Sequence, residues 1–200
     1  APEMHNRVIT GNWAGNDHGM SSYSLAGKTL GIVGLGNIGT LVARRAEAFG
    51  MRIIFADPVV LEGPDSHWIK GSFDDVLEAS DYVSFHVHLT DSTTNLINQR
   101  NLGLLRKKPF LINVSRAELI EKQALVIALE RGLIRGLAMD AHYSEPTEAQ
   151  DVTFNHSRGF FSPHVAGSTI DSYSNTVKAC VDNIAMTVAN QSPLGVVAKG

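Results

Sequence analysis

Three segments of this 200-residue chain carry residue types whose spacing could do chemistry. The first is the glycine turn Gly34-Leu35-Gly36-Asn37-Ile38-Gly39, framed by an apolar run before it and a helical pattern after it. Such a turn lets backbone approach a pyrophosphate, with Gly34 for the tight bend, Gly36 for the approach and Gly39 for helix-on-strand packing. The helix N-terminus that follows adds free N–H groups and partial positive charge. The second is Arg116, just past the apolar run Phe110 to Val114. Its planar, permanently charged fork could polarise a ketone oxygen and pair with a carboxylate, although an arginine opening a surface helix looks the same in sequence. The third is His164, which follows Pro163 and can exchange a proton near neutral pH, with Glu145 available to hold the imidazole in one tautomer.

Asp57 ends the next apolar run, about 20 residues beyond the glycine turn, where a carboxylate can accept hydrogen bonds from the adenosine ribose hydroxyls. A 2′-phosphate would meet like charge there, and Pro58, Val59 and Val60 offer no arginine, so the cofactor expected is NAD in preference to NADP. His86 and His88 alternate along an apolar run and would face the same way, but nothing supplies further ligands. They read as pocket wall or packing, and no metal is assigned.

Positioning these groups needs a particular scaffold. The pattern predicts strands over Leu30–Val33, Met51–Ala56, Asp81–Val87, Phe110–Val114, Ile134–Met139 and Phe160–Ser162. Helices are expected over Ile38–Phe49, from Ser72 with an acid at the capping-box position, over Gln99–Leu105, Lys122–Glu130 and Asp171–Ala189. Strands that alternate with helices and are apolar on both faces imply an α/β fold, a Rossmann-type doubly wound parallel sheet with helices on both faces. Residues 1–27 read as an irregular lead-in with at most one short helical turn, 28–190 as the dinucleotide-binding domain and 191–200 as a C-terminal tail.

Lys and Arg number 17 against 20 Asp and Glu, a net charge of −3 that argues against nucleic-acid binding. The longest apolar runs fall well short of the roughly 20 residues of a membrane helix. The single cysteine, Cys180, cannot form an internal disulfide, and a cytoplasmic setting is expected. A start at Ala1 within a polar His-, Asn- and Gly-containing stretch suggests the middle of something longer.

The segments Ile112-Asn113-Val114-Ser115-Arg116, Asp140-Ala141-His142-Tyr143-Ser144-Glu145-Pro146 and Ser162-Pro163-His164-Val165-Ala166-Gly167 resemble, in order and context, the D-isomer specific 2-hydroxyacid dehydrogenases. Trp13, Gly27-Lys28-Thr29-Leu30-Gly31 and Val87 to Gln99 extend the resemblance from about residue 8 to the C-terminus. The resemblance implies an NAD-dependent hydride transfer between a D-2-hydroxyacid and its 2-ketoacid. Arg116 would bind substrate, His164 transfer the proton and Glu145 orient His164. It also implies that Asn37, Ile38, Val87, Val114, Ser115 and Gly167 line the cofactor together with Arg116 and His164, and that Asp140 lies near the nicotinamide carboxamide, with a helix N-cap as its alternative role.

Ala117 stands where the family usually has glycine, His88 where proline usually follows the strand, and Ala141-His142-Tyr143 replaces a more apolar pattern. Glutamine replaces Glu145 in the related formate dehydrogenases, which argues against formate. Family members place a further domain ahead of Val8, so this chain alone should bind NAD and turn over poorly. Val177, Val181, Ile184 and Val188 of the last helix read as core or dimer packing, and a homodimer is expected. The rival reading is an NAD(H)-sensing binding module, like the corepressors built on this fold.

Overall fold

In a computed structural model, residues 2–13, 22–154 and 159–195 are described, with side chains from His5 onward. Residues 196–200 of the expected tail lie outside the described residues.

A seven-stranded, fully parallel sheet organises the chain, built from β1 (Thr29–Val33), β2 (Arg52–Ala56), β3 (Ile69–Lys70), β4 (Tyr82–Phe85), β5 (Phe110–Asn113), β6 (Gly136–Met139) and β7 (Gly159–Phe161). Its order is β3-β2-β1-β4-β5-β6-β7. The chain runs outward from β1 to β3, then returns to lay β4 on the other side of β1, so the strand order reverses between β1 and β4. In open α/β sheets that reversal leaves a crevice at the carboxyl ends of the strands. Every one of the three chemistry-bearing segments emerges there: the glycine turn from β1, the Arg116 loop from β5, and the Glu145 and His164 loops from β6 and β7.

Side-chain alternation sends the strands into two cores. On one face Val33, Ile54, Val83, Phe85, Leu111, Leu137 and Met139 pack with Val76 and Leu77 of α3 (Phe73–Ala79) and Ala124, Leu125 and Ala128 of α4 (Lys122–Glu130). On the other, Leu30, Ile32, Ile53 and Phe55 pack with Ala43 and Ala46 of α2 (Asn37–Ala48). Helices on both faces define the Rossmann-type doubly wound arrangement.

The capping box expected at Ser72 is present: Ser72 Oγ accepts the Asp75 N–H at 3.1 Å and Asp75 Oδ2 accepts the Ser72 N–H at 2.9 Å. Elsewhere the expected elements change. Residues 99–105 give a 3-10 turn, Leu102–Leu104, instead of a helix. Asn98 and Asn101 explain it, because their side chains bond the backbone of Arg100, Asn98 and Leu96 and compete with helical bonds. The lead-in contains a two-turn helix, α1 (Pro2–Ile9), and β3 adds a two-residue strand that no periodicity could announce. The last helix, α5 (Ile170–Val188), has no buried residue, so Val177, Val181, Ile184 and Val188 are not core of this chain.

Candidate active site

The glycine turn is held from three sides. Gly34 has φ +93°, and a Cβ there would lie 2.6 Å from Val87 Cγ1 and 2.7 Å from the His86 carbonyl oxygen. At Gly39 a Cβ would run into the Gly34 carbonyl oxygen, which fixes α2 against the turn. Gly36 differs, since a Cβ there would meet nothing within 4 Å. It is also the N-cap of α2 without a side-chain cap, and the first turn carries no acid, so no side chain there satisfies the helix's leading N–H groups. Asn37 and Ile38 continue this surface, with Ile38 exposed despite being apolar.

Asp57 reaches back to this turn. Its Oδ2 accepts the Leu35 N–H at 2.8 Å, and its Oδ1 accepts the Val59 and Val60 N–H groups at 2.8 and 2.9 Å. Partial burial raises the carboxyl pKa, but the N–H bonds from Val60, Val59 and Leu35 and the charge of Lys70 outweigh it, leaving it below the usual value. A carboxylate has about four acceptor positions. Three are taken, which leaves one on Oδ2 unfilled by the described residues.

Arg116 sits in a loop pinned by Asn113, which is fully buried. Asn113 Nδ2 donates to the Arg116 carbonyl at 2.8 Å, Asn113 Oδ1 accepts the Ser115 N–H at 3.1 Å, and Ser115 Oγ donates to the Phe85 carbonyl at 2.8 Å. The loop backbone is therefore tied to β4 and β5, while the guanidinium is exposed, with Nη1 on the Ser115 carbonyl at 2.7 Å. It opens into a cavity of about 360 Å³ lined by Ile38, Val87, Val114, Ser115, Arg116, His86, His88 and Leu89. Thus the segments that follow β1, β4 and β5 share one wall. His86 Nε2 lies 2.9 Å from Ser84 Oγ, its buried Nδ1 finds no partner among the described residues, and burial pushes its pKa down to about 4. It is a neutral wall residue at pH 7.

His164 and Glu145 meet directly. His164 Nδ1 lies 2.8 and 3.0 Å from the Glu145 oxygens. A carboxylate can only accept, so Nδ1 carries the hydrogen and Nε2 is left for a ligand. Glu145 is held below its usual pKa chiefly by His164, then by the His142 N–H. His164 adopts φ +53°, a left-handed conformation that needs support.

Asp140 gives that support. It is 3% exposed, and its carboxylate accepts the Ser162 hydroxyl and the N–H groups of Val165 (2.9 Å) and Ala166 (2.8 Å), so it grips the turn on both sides of His164. Burial raises its pKa, while the bonds from Ser162, Ala166 and Val165 and the nearby His164 lower it below the usual value. The N-cap alternative does not hold, because α5 is capped by Thr169. Gly167 follows this turn, exposed, with its carbonyl accepting Ser172 Oγ at 2.6 Å.

The structure therefore brings Glu145 and His164 together and places Arg116 separately, in the cavity lined by Ile38, Val87 and Val114. Asn113, Ser162 and His142 carry weight that their types did not announce. Asn113 and Ser162 sit close to Arg116 and His164 in the chain, which is the available signal.

A parallel sheet with a reversed strand order, a ligand-facing glycine turn and polar groups converging at its carboxyl edge defines a dinucleotide-binding α/β domain. The family "D-isomer specific 2-hydroxyacid dehydrogenase, NAD binding domain" matches residues 1–166, and the chain belongs to it. A glyoxylate reductase of Korarchaeum cryptofilum is 33% identical over 188 residues, covering 91% of this chain and 56% of the relative. The crystal structure of the TT0316 protein from Thermus thermophilus superposes with a TM-score of 0.87 at 29% identity, covering 98% of this chain and 62% of that one. The NAD complexed form of a D-isomer specific 2-hydroxyacid dehydrogenase from Lactobacillus delbrueckii ssp. bulgaricus does so with a TM-score of 0.82 at 27% identity, covering 98% and 63%. This chain spans a little over half the length of the reductase it matches. Among the described residues, no helix is long and apolar enough to cross a membrane.

Proposed function

We propose that this chain, with residues 28–190 as its dinucleotide domain, is the cofactor-binding part of an NAD-dependent oxidoreductase that interconverts a D-2-hydroxyacid and its 2-ketoacid. The observation that carries the reading is the Glu145–His164 pair, with Nδ1 on the carboxylate at 2.8 Å, at the same sheet edge as the glycine turn. The residues fit the cofactor: open space over Gly36, uncapped N–H groups on α2 and a remaining acceptor on Asp57 suit a pyrophosphate and a ribose. The exposed apolar side chains Ile38 and Val114 would flank flat rings. Asp57 favours NAD over NADP, because a 2′-phosphate would meet an ionised carboxylate.

When bound, the nicotinamide supplies or receives the hydride at the carbonyl carbon. Arg116 holds the substrate carboxylate and polarises the ketone. His164 gives its Nε2 proton to the oxygen as charge develops there, and recovers it in the reverse direction. Glu145 keeps the ring in the productive tautomer and stabilises the imidazolium. Small 2-ketoacids of the glyoxylate type are the first substrates to test, given the Korarchaeum cryptofilum relative. The exposed stripe Val177, Val181, Ile184 and Val188 on α5 supports a homodimer, and a cytoplasmic setting suits the free Cys180.

In the full-length protein, Arg116→Ala is expected to lower kcat/KM for glyoxylate by about a thousandfold while NADH affinity stays within about twofold. Unchanged reduction would refute the assignment.

A further inference from the structure

His142 bonds Glu145 directly and reaches the His164 turn through the Ser162 carbonyl. Its backbone N–H donates to Glu145 Oε1 at 2.9 Å. Its ring Nε2 lies 2.8 Å from the Ser162 carbonyl, an acceptor, so Nε2 carries the hydrogen and donates. That same carbonyl accepts the His164 backbone N–H at 3.0 Å. The ring is half-buried and packs edge-on to Phe154 (5.5 Å between centroids) and at a tilt to Phe161 (6.3 Å). One residue therefore ties the loop after β6, which carries Glu145, to the loop after β7, which carries His164 in its left-handed conformation.

We propose that His142 is a positioning residue for the Glu145–His164 pair, its ring donor fixing the angle at which the imidazole meets the carboxylate. The proposal rests on reading His164 as the proton donor. A phenylalanine at this position keeps the packing on Phe154 and Phe161 but loses the bond to Ser162. A glutamine keeps a donor within reach of that carbonyl and loses the aromatic ring. The two variants separate bonding from packing.

With glyoxylate and NADH and the full-length protein, His142→Phe should lower kcat about tenfold, with glyoxylate KM and NADH affinity within about twofold. His142→Gln should restore most of kcat. A second readout is the proton NMR signal of the carboxylate-bound Nδ1–H of His164, measured on the 200-residue chain. It should be resolved in the wild type and His142→Gln, and broadened or lost in His142→Phe. Retention of both kcat and the signal in His142→Phe overturns the proposal. Equal loss in both variants also overturns it, since packing alone would then explain the effect. If the signal behaves as expected but even the wild type reduces no 2-ketoacid, the positioning role stands and the reading of His164 as proton donor fails.

Discussion

The glycine turn and the His164 turn leave the same edge of the sheet, and each is tied down by one aspartate. Asp57 is half-buried and binds the N–H groups of Leu35, Val59 and Val60, two on Oδ1 and one on Oδ2. Asp140 is almost wholly buried, and its three bonds all go to the segment Ser162 to Ala166. The first carboxylate braces a turn and stays partly exposed. The second is a clamp. On the proposed reading, Asp57 would combine recognition with bracing, whereas His164, in its left-handed conformation, is held by a carboxylate whose bonds all go to its own turn.

This contrast can be broken most forcefully at Asp140. Asp140→Ala leaves a hydroxyl and two N–H groups without their partner and is expected to cost about 3 kcal/mol of stability, read by urea unfolding. If the loss is below about 1 kcal/mol, the clamp is not what holds the turn. Asp57→Ala should cost less, about 1 kcal/mol, because water can satisfy the freed donors. Its larger effect should be on ligand choice, with NAD affinity down about tenfold and the preference over NADP gone by calorimetric titration. An intact preference would remove Asp57 from the ribose site.

The two aspartates and His86 affect stability in different pH ranges. Asp57 and Asp140 both have folded-state pKa values below 3.8, so their contributions are complete above that pH and lost as pH falls through the lowered values. His86 acts over a different window. Its folded-state value of about 4 lies under the ordinary 6.5, so the unfolded chain binds more protons between the two and stability declines as pH falls across that range. Discounted for its partial exposure, the His86 effect should be about 1 kcal/mol. His86→Phe should flatten only this upper limb of the urea-midpoint curve, and Asp140→Asn only the lower one.

Much of this edge was legible because its residues advertise themselves. Gly34 and Gly39 mark a turn that tolerates no Cβ, Ser72 and Asp75 spell a capping box, and Glu145 and His164 are types that pair. The Asp140 clamp was not legible, because its partners include backbone N–H groups 25 and 26 residues away, and backbone donors look alike in every sequence. The same holds for the His142 ring, bonded to a carbonyl. The helix expected at 99–105 failed because asparagine side chains took the backbone's bonds, a choice composition leaves open. The apolar stripe of α5 was readable as packing, but not whether this chain covers it.

On the proposed reading, cofactor holding and proton transfer are separate tasks of the two turns. That separation is tested most directly with His164→Ala in the full-length protein, by measuring NADH affinity and glyoxylate reduction on the same sample. NADH affinity is expected within about twofold of wild type and kcat lower by roughly a thousandfold. Reduction at the wild-type rate, or loss of NADH binding in step with activity, would contradict it.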